Sequence, residues 1–250
     1  MLFLFKMQTP LISKSTLSTI ETYLDKQTVM LEIGSGNSTA YFSKLVKKLY
    51  SLENNTQWFD EVNKQIVNQD NITYTLKISN LKNYDQSTPG KNQTYEMFKD
   101  YLDYLELSNF GDKKLDIIFN DGQARRICNL KAFEILKDNG YLIIHDFFNT
   151  PNLNIEWNLR ILLKYYKIVE YDNKCFRKKK GVERGNDYII LAKKKKVNID
   201  TNDLIDVSMI NQSTHNKLNS FFQNSKFNII LRLSIIKRLP SRLSKIEPKL

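Results

Sequence analysis

The stretch Leu31-Glu32-Ile33-Gly34-Ser35-Gly36-Asn37-Ser38-Thr39 joins an acidic residue, two glycines and three hydroxyl side chains between an apolar run and a helical pattern. Gly34 and Gly36 permit a tight turn and a close backbone approach, and Glu32 can meet a cationic or amide-rich ligand edge. A loop of this kind cradles a nucleoside-containing cofactor, with Ser35, Ser38 and Thr39 completing it. Ser38 stands where a dinucleotide fingerprint has its third glycine. Glu53 follows about 20 residues later, where a carboxylate can accept from both ribose hydroxyls and would repel a ribose phosphate. An unphosphorylated nucleoside is favoured. Further on, Asp121, His145 and Asp146 supply two carboxylates and an imidazole. Any of the three can act as a general base, and Asp121 with Asp146 can instead hold a divalent cation such as magnesium. Arg125 and Arg126 come next to Asp121. Arg125 is the candidate clamp for an anionic substrate, whereas Arg126 reads as a solvated helix face. His145 also has a plain reading as a strand-end residue capping backbone groups, and Trp58 reads as core packing of its helix.

These residues need elements to hold them, and the pattern provides strands alternating with helices. Strands are expected at 29–33, 49–53, 72–78, 115–120 and 141–145, with helices over 38–48, 56–68 and 124–137. Near-continuous apolar strands between helices imply an α/β fold, a Rossmann-like doubly wound, mostly parallel sheet covered on both faces. In such a sheet ligands bind at the carboxyl ends of the strands, where Glu32, Glu53, Asp121 and His145 all fall. Gly140 reads as a helix C-cap. A helix over 152–165 and an antiparallel hairpin, 166–171 with 187–192, would close the sheet. Between them lies a basic loop over 172–186. An insertion, about 80–112, begins with a turn at Ser87-Thr88-Pro89-Gly90. It continues with Tyr95, Phe98, Leu102 and Leu105 on one face of a helix capped by Thr94.

The chain has 250 residues, of which 41% are hydrophobic and 26% charged, with 14 Phe and 13 Tyr. That composition excludes a disordered chain. Cys128 and Cys175 have no partner at metal-knuckle or redox spacing, so a reducing, cytoplasmic compartment is expected. The apolar start, Met1 to Phe5, is shorter than a signal-peptide core, and no run approaches the length that spans a bilayer. The expected division is an N-terminal helical extension (1–28), a Rossmann-like domain (29–196) and a basic appendage (197–250). Residues 193–250 hold 12 Lys and Arg against 4 Asp and Glu, a net +8 out of the total +11.

The loop LEIGSGNST, the segment LYSLENNTQW and the segment LDIIFNDGQARRICNLKAFEILKDNGYLIIHDF together resemble class I S-adenosylmethionine-dependent methyltransferases. They resemble in particular a branch with an E-x-G-S-G-x-S-T loop, D-G-R-x-R after the fourth strand and H-D after the fifth. The resemblance covers about 29–192 and departs at Asn120 and at Gln123, which replaces the branch's first arginine. It implies S-adenosyl-L-methionine as cofactor, with Glu32, Gly34 and Gly36 at its methionine end and Glu53 at its ribose. The expected activity is O-methylation of a hydroxylated small molecule or glycan. The alternatives are methylation of RNA or DNA, with the basic tail tracking phosphates, and a noncatalytic binding module. A near-neutral body and the lack of an Asn/Asp-Pro-Pro-Tyr signature favour the first. The apolar-basic segment 221–239 could lie on an anionic membrane surface, though packing on the body or a partner is the commoner fate.

Overall fold

The computed structural model describes residues 10–80, 95–147, 155–172 and 188–203. The tail beyond 203, the basic loop with Cys175, the turn at 87–90 and Thr94 lie outside the described residues.

Seven strands form one sheet in the order β3-β2-β1-β4-β5-β7-β6. They are β1 (Val29–Ile33), β2 (Lys48–Glu53), β3 (Ile72–Leu76), β4 (Leu115–Asn120), β5 (Leu136–His145), β6 (Tyr166–Asp172) and β7 (Tyr188–Lys193). The first five run parallel, and β7 pairs antiparallel with both β5 and β6. The order reverses between β1 and β4, so the chain leaves β1 and β4 in opposite directions and opens a crevice at their carboxyl ends. This is the doubly wound architecture that the alternation of apolar runs and helices implies.

The strands are apolar on consecutive positions because both faces are covered. Leu31, Ile33, Ile118, Leu142 and Ile144 join one core with the insertion and with α5 (Arg125–Ile135). Met30, Ile117, Phe119 and Ile143 point the other way, onto α2 (Asn37–Phe42) and Ile20 of α1 (Lys14–Glu21). The N-terminal helix is therefore part of the sheet's cover. Ser13 caps it by accepting from the Thr16 N–H. α3 (Thr56–Ile66) begins in the same way at Asn55, and packs Val62 and Ile66 against Ala40. α6 (Ile155–Tyr165) completes the layer beside α5.

Four local expectations change. α2 stops at Phe42 rather than reaching 48, because the Thr28 carbonyl takes the Lys47 and Lys48 N–H groups and starts β2 there. Gly140 caps no helix. α5 ends at Ile135, Leu136 is already extended, and Gly140 is buried inside β5, where a Cβ would stand 2.8 Å from the Asp116 carbonyl oxygen. The pairing there jumps from Leu115↔Leu136 to Ile117↔Tyr141, so the intervening residues bulge outward. The insertion carries a 3-10 turn over Glu96–Phe98 followed by α4 (Lys99–Asp103), not one helix, although Phe98, Leu102 and Leu105 are buried as their spacing implies. Finally, the body does not end at Lys196. Val197 and Ile199 pack on the core, and buried Asp203 accepts from Lys164 Nζ (2.6 Å) and the Tyr165 hydroxyl (2.6 Å). Among the described residues no helix is long and apolar enough to cross a membrane.

Candidate functional site

β1 delivers the glycine loop and β2 delivers Glu53 to the same end of the sheet. Gly34 has φ +88°, and a Cβ there would lie 2.6 Å from Gly122 Cα, so only glycine lets the β1 and β4 loops touch. The Asp121 N–H donates to the Ile33 carbonyl at 2.9 Å and joins the two turns. Gly36 differs. Its φ of 176° suits any residue, but it faces open space, and an added Cβ would meet nothing closer than Ser38 Oγ at 3.8 Å. Its missing side chain leaves room for a ligand.

Glu32 does not reach that room. It is fully buried, and it accepts from Ser38 Oγ (2.5 Å), Thr39 Oγ1 (2.6 Å) and Ser51 Oγ (2.7 Å). Burial pushes its pKa up to about 7 against the opposing effect of the three hydroxyls. Glu32 and Thr39 thus shape the loop from beneath. Neither is placed against the room expected for a cofactor, because the hydroxyls that could have been ligand contacts hydrogen-bond a carboxylate that burial has stripped of water.

Glu53 lines two adjoining cavities. The larger, about 620 Å³, is bounded by Glu53, Asn54, Asn55, Trp58, Phe98 and Gln123. The smaller, about 190 Å³, runs along Gly34, Ser35, Gly36 and Ser38 to Asp121. One Glu53 oxygen accepts from the Asn54 and Asn55 N–H groups (2.8 and 2.9 Å), and the other from the N–H (3.1 Å) and hydroxyl (2.7 Å) of Ser35. The Ser35 hydroxyl has a second neighbour in the Tyr74 hydroxyl at 2.7 Å. Trp58 is not core packing. The residue is 45% exposed and its indole N–H donates to the Ser35 carbonyl, which clamps the glycine loop from outside. A tryptophan five residues beyond Glu53 at the start of a helix was the available signal, and only the helix's orientation turned it into a wall of the cavity.

At the neighbouring strand ends, Asp121 and His145 come together. His145 Nδ1 lies 3.2 Å from Asp121 Oδ2 and 4.0 Å from Asp146 Oδ2, without the alignment of a hydrogen bond. Burial alone would depress the imidazole pKa, but the Asp121 carboxylate outweighs it and the net direction is up. Burial would raise the Asp121 pKa, yet His145 and Arg125 together bring it below the usual carboxylate value. Asp146 adopts φ +49°, and Ala124 φ +47°, so both turns at this end are held in the left-handed region.

The Arg125 guanidinium points inward. It donates to Asp121 Oδ1 (2.8 Å), to the carbonyls of Asp121 (3.0 Å) and Gly122 (2.9 Å), and to that of His145 (2.6 Å). It ties the β4 turn to the end of β5, so the arginine expected to clamp a substrate braces the site instead. Arg126, expected on a solvated face, is 5% exposed. A single ligand atom from each of Asp121, His145 and Asp146 falls within 4.8 Å of the others. A divalent cation fits poorly there, since Arg125 already places a fixed positive charge 2.8 Å from the Asp121 carboxylate.

No protein-family model matches the chain, and neither does any curated protein. Among solved structures, a methyltransferase-like protein from Silicibacter pomeroyi superposes with a TM-score of 0.54 at 15% identity, covering 82% of this chain and 100% of that one. An rRNA methylase from Streptococcus thermophilus gives 0.48 at 14%, covering 75% and 98%. Aeropyrum pernix fibrillarin with natively bound S-adenosyl-L-methionine gives 0.46 at 12%, covering 68% of each chain. The likeness to the Silicibacter pomeroyi protein is one of fold, a doubly wound sheet of mostly parallel strands.

Proposed function

We propose that the protein is an S-adenosylmethionine-dependent methyltransferase acting on a hydroxyl of a small molecule or glycan. The observation that carries this reading is the continuity of the smaller cavity from Gly36 and Glu53 to Asp121, which in turn lies against His145. The cofactor, when bound, supplies an activated methyl group on a sulfonium. Glu53 would hold the ribose hydroxyls in place of the Ser35 hydroxyl, which keeps Tyr74 as a partner. Ser35 and Gly36 line the same cavity, with Trp58 as its outer wall. His145 is the base for the acceptor hydroxyl, and Asp121 orients the ring and stabilises the imidazolium that forms. Arg125 fixes Asp121 and takes no part in acceptor binding. Asp146 adds negative charge beside the imidazole.

A base must be neutral to accept a proton. Because Asp121 raises the His145 pKa above its ordinary 6.5, methyl transfer should climb with pH until that raised value is passed. Replacing Asp121→Asn removes the stabilising charge and should move the climb to lower pH. His145→Ala should cut turnover about 100-fold while S-adenosylhomocysteine affinity changes little. Calorimetry with S-adenosylhomocysteine comes first. Wild-type protein that does not bind it would overturn the reading, as would full activity after His145→Ala.

A further inference from the structure

α5 spans eleven residues and starts at the carboxyl end of β4, beside His145. Its flank carries two buried nitrogen donors without partners among the described residues, Arg126 Nη1 and Asn129 Nδ2. Arg126 is 5% and Asn129 0% exposed. Three residues apart, they share one side of the helix. That side faces β6 and the end of α6, since the Asn129 carbonyl accepts from the Tyr166 hydroxyl and Phe133 packs on Tyr165 and Tyr166. Helical side chains lean toward the N-terminus of their helix, so both donors are carried toward the carboxyl end of the sheet.

The orientation of the Asn129 amide is fixed by its neighbours. The Gly122 N–H donates to Asn120 Oδ1 (3.3 Å), which makes Asn120 Nδ2 the donor toward Asn129 Oδ1 (2.7 Å). Asn129 Nδ2 is then the atom left over. Nothing comparable explains Arg126. Burial alone acts on its pKa, pulling it down, and no carboxylate among the described residues offsets the charge. A buried guanidinium with no carboxylate beside it and an unpartnered nitrogen is unfavourable in a protein interior, and here a second unsatisfied donor belongs to the residue one turn on. Two donors without an acceptor match a group that only accepts, and the planar guanidinium matches an oxyanion best.

We infer that Arg126 and Asn129 form an oxyanion site, and that the methyl acceptor carries a carboxylate or phosphate which this site binds while its hydroxyl meets His145. The N-terminal end of α5 adds its own positive potential to the same place. The assignment to the acceptor rests on the transferase reading, whereas the oxyanion site does not.

The test is a thermal-shift titration of the full chain without cofactor, using inorganic phosphate and acetate against chloride at matched ionic strength. Wild type should gain about 3 °C with at least one of the two anions, saturably. A response to phosphate alone identifies a phosphorylated acceptor, and one to acetate alone a carboxylated acceptor. Asn129→Asp keeps an oxygen for Asn120 and places a fixed anion beside Arg126. It should melt higher than wild type in chloride and lose the anion response. Arg126→Gln should weaken anion binding at least tenfold. The site is refuted if wild type responds to neither anion, if all three proteins respond equally, or if Asn129→Asp melts lower with its anion response intact. Anion binding by a protein that ignores S-adenosylhomocysteine would keep the site and remove only its assignment to a methyl acceptor.

Discussion

The two halves of the sheet's carboxyl edge are built on opposite terms. On the β1–β2 side Glu32 accepts from three hydroxyls and Glu53 from four donors, so both buried carboxylates are saturated by the protein itself. On the β4–β5 side two buried side-chain donors, Arg126 Nη1 and Asn129 Nδ2, find no acceptor among the described residues, and His145 Nδ1 has the Asp121 carboxylate at 3.2 Å without the alignment of a hydrogen bond. Buried polar groups are paired in most native interiors, and these exceptions are what the oxyanion proposal rests on. The β1–β2 side is a preformed mould. The β4–β5 side leaves donors over, and the proposed acceptor would use them.

Disturbing the mould at its base should have the largest effect. Gly34→Ala forces a Cβ to within 2.6 Å of the Gly122 backbone at φ +88°, so unfolding by denaturant should show a loss of about 3 kcal/mol or more. Gly122→Ala, whose Cβ would meet Tyr101 Oη at 2.4 Å and the backbone of Gly34 and Ile33 at 3.0 Å, should cost less because its closest contact is the end of a side chain rather than backbone. Equal costs would mean that Tyr101 is as immovable as backbone, and would place the insertion within the mould.

Next comes Glu53→Gln. An amide can replace one accepting oxygen but not both, so at least one of the four N–H or O–H donors now held by the carboxylate loses its partner. S-adenosylhomocysteine affinity measured by calorimetry should fall about tenfold, equivalent to roughly 1.4 kcal/mol. Unchanged affinity would show that Glu53 serves only its own loop.

A smaller effect, and one of unusual sign, is expected at Glu32. Burial raises its folded pKa to about 7 from an ordinary 4.5, so the folded state holds its proton longer than the unfolded chain does. Stability from this group is complete below about pH 4.5 and declines as pH rises through 7. Glu32→Gln should therefore gain on wild type between pH 5 and 8, as read from melting temperatures across that range. A constant difference would place the carboxylate outside the titration.

The smallest expected change lies outside both halves. Asp203→Ala removes the acceptor of Lys164 and of the buried Tyr165 hydroxyl, and should lower stability by about 1 to 2 kcal/mol with no effect on S-adenosylhomocysteine binding. A chain ending at Lys196 loses the same contacts and should melt roughly 5 °C below full length. Equal melting would return the domain boundary to Lys196.

Much of the mould was legible because it is local in sequence. The glycine loop, Glu53 at its spacing and the apolar runs of β1, β4 and β5 are each specified within a few residues, and strand alternation with helices leaves few ways to assemble them. Asp121 and His145 could be named for the same reason, as residues that follow apolar runs. The failures all depended on what a side chain meets across the fold. Glu32 reads as a ligand contact until Ser51 of the next strand closes over it, and Trp58 reads as core until its helix lays it across Ser35.

The sequence by itself determined the doubly wound sheet and the end of it at which Glu53, Asp121 and His145 gather, because hydrophobic period and glycine placement act over short stretches of chain. Only the tertiary structure decided between Arg125 and Arg126. Adjacent on one helix and identical in type, they differ by about 100° of rotation, which no local pattern reads. That rotation turns one guanidinium onto Asp121 and the other into the interior with no counter-ion among the described residues, because the helix packs on the sheet beside α6, with Phe133 against Tyr165 and Tyr166.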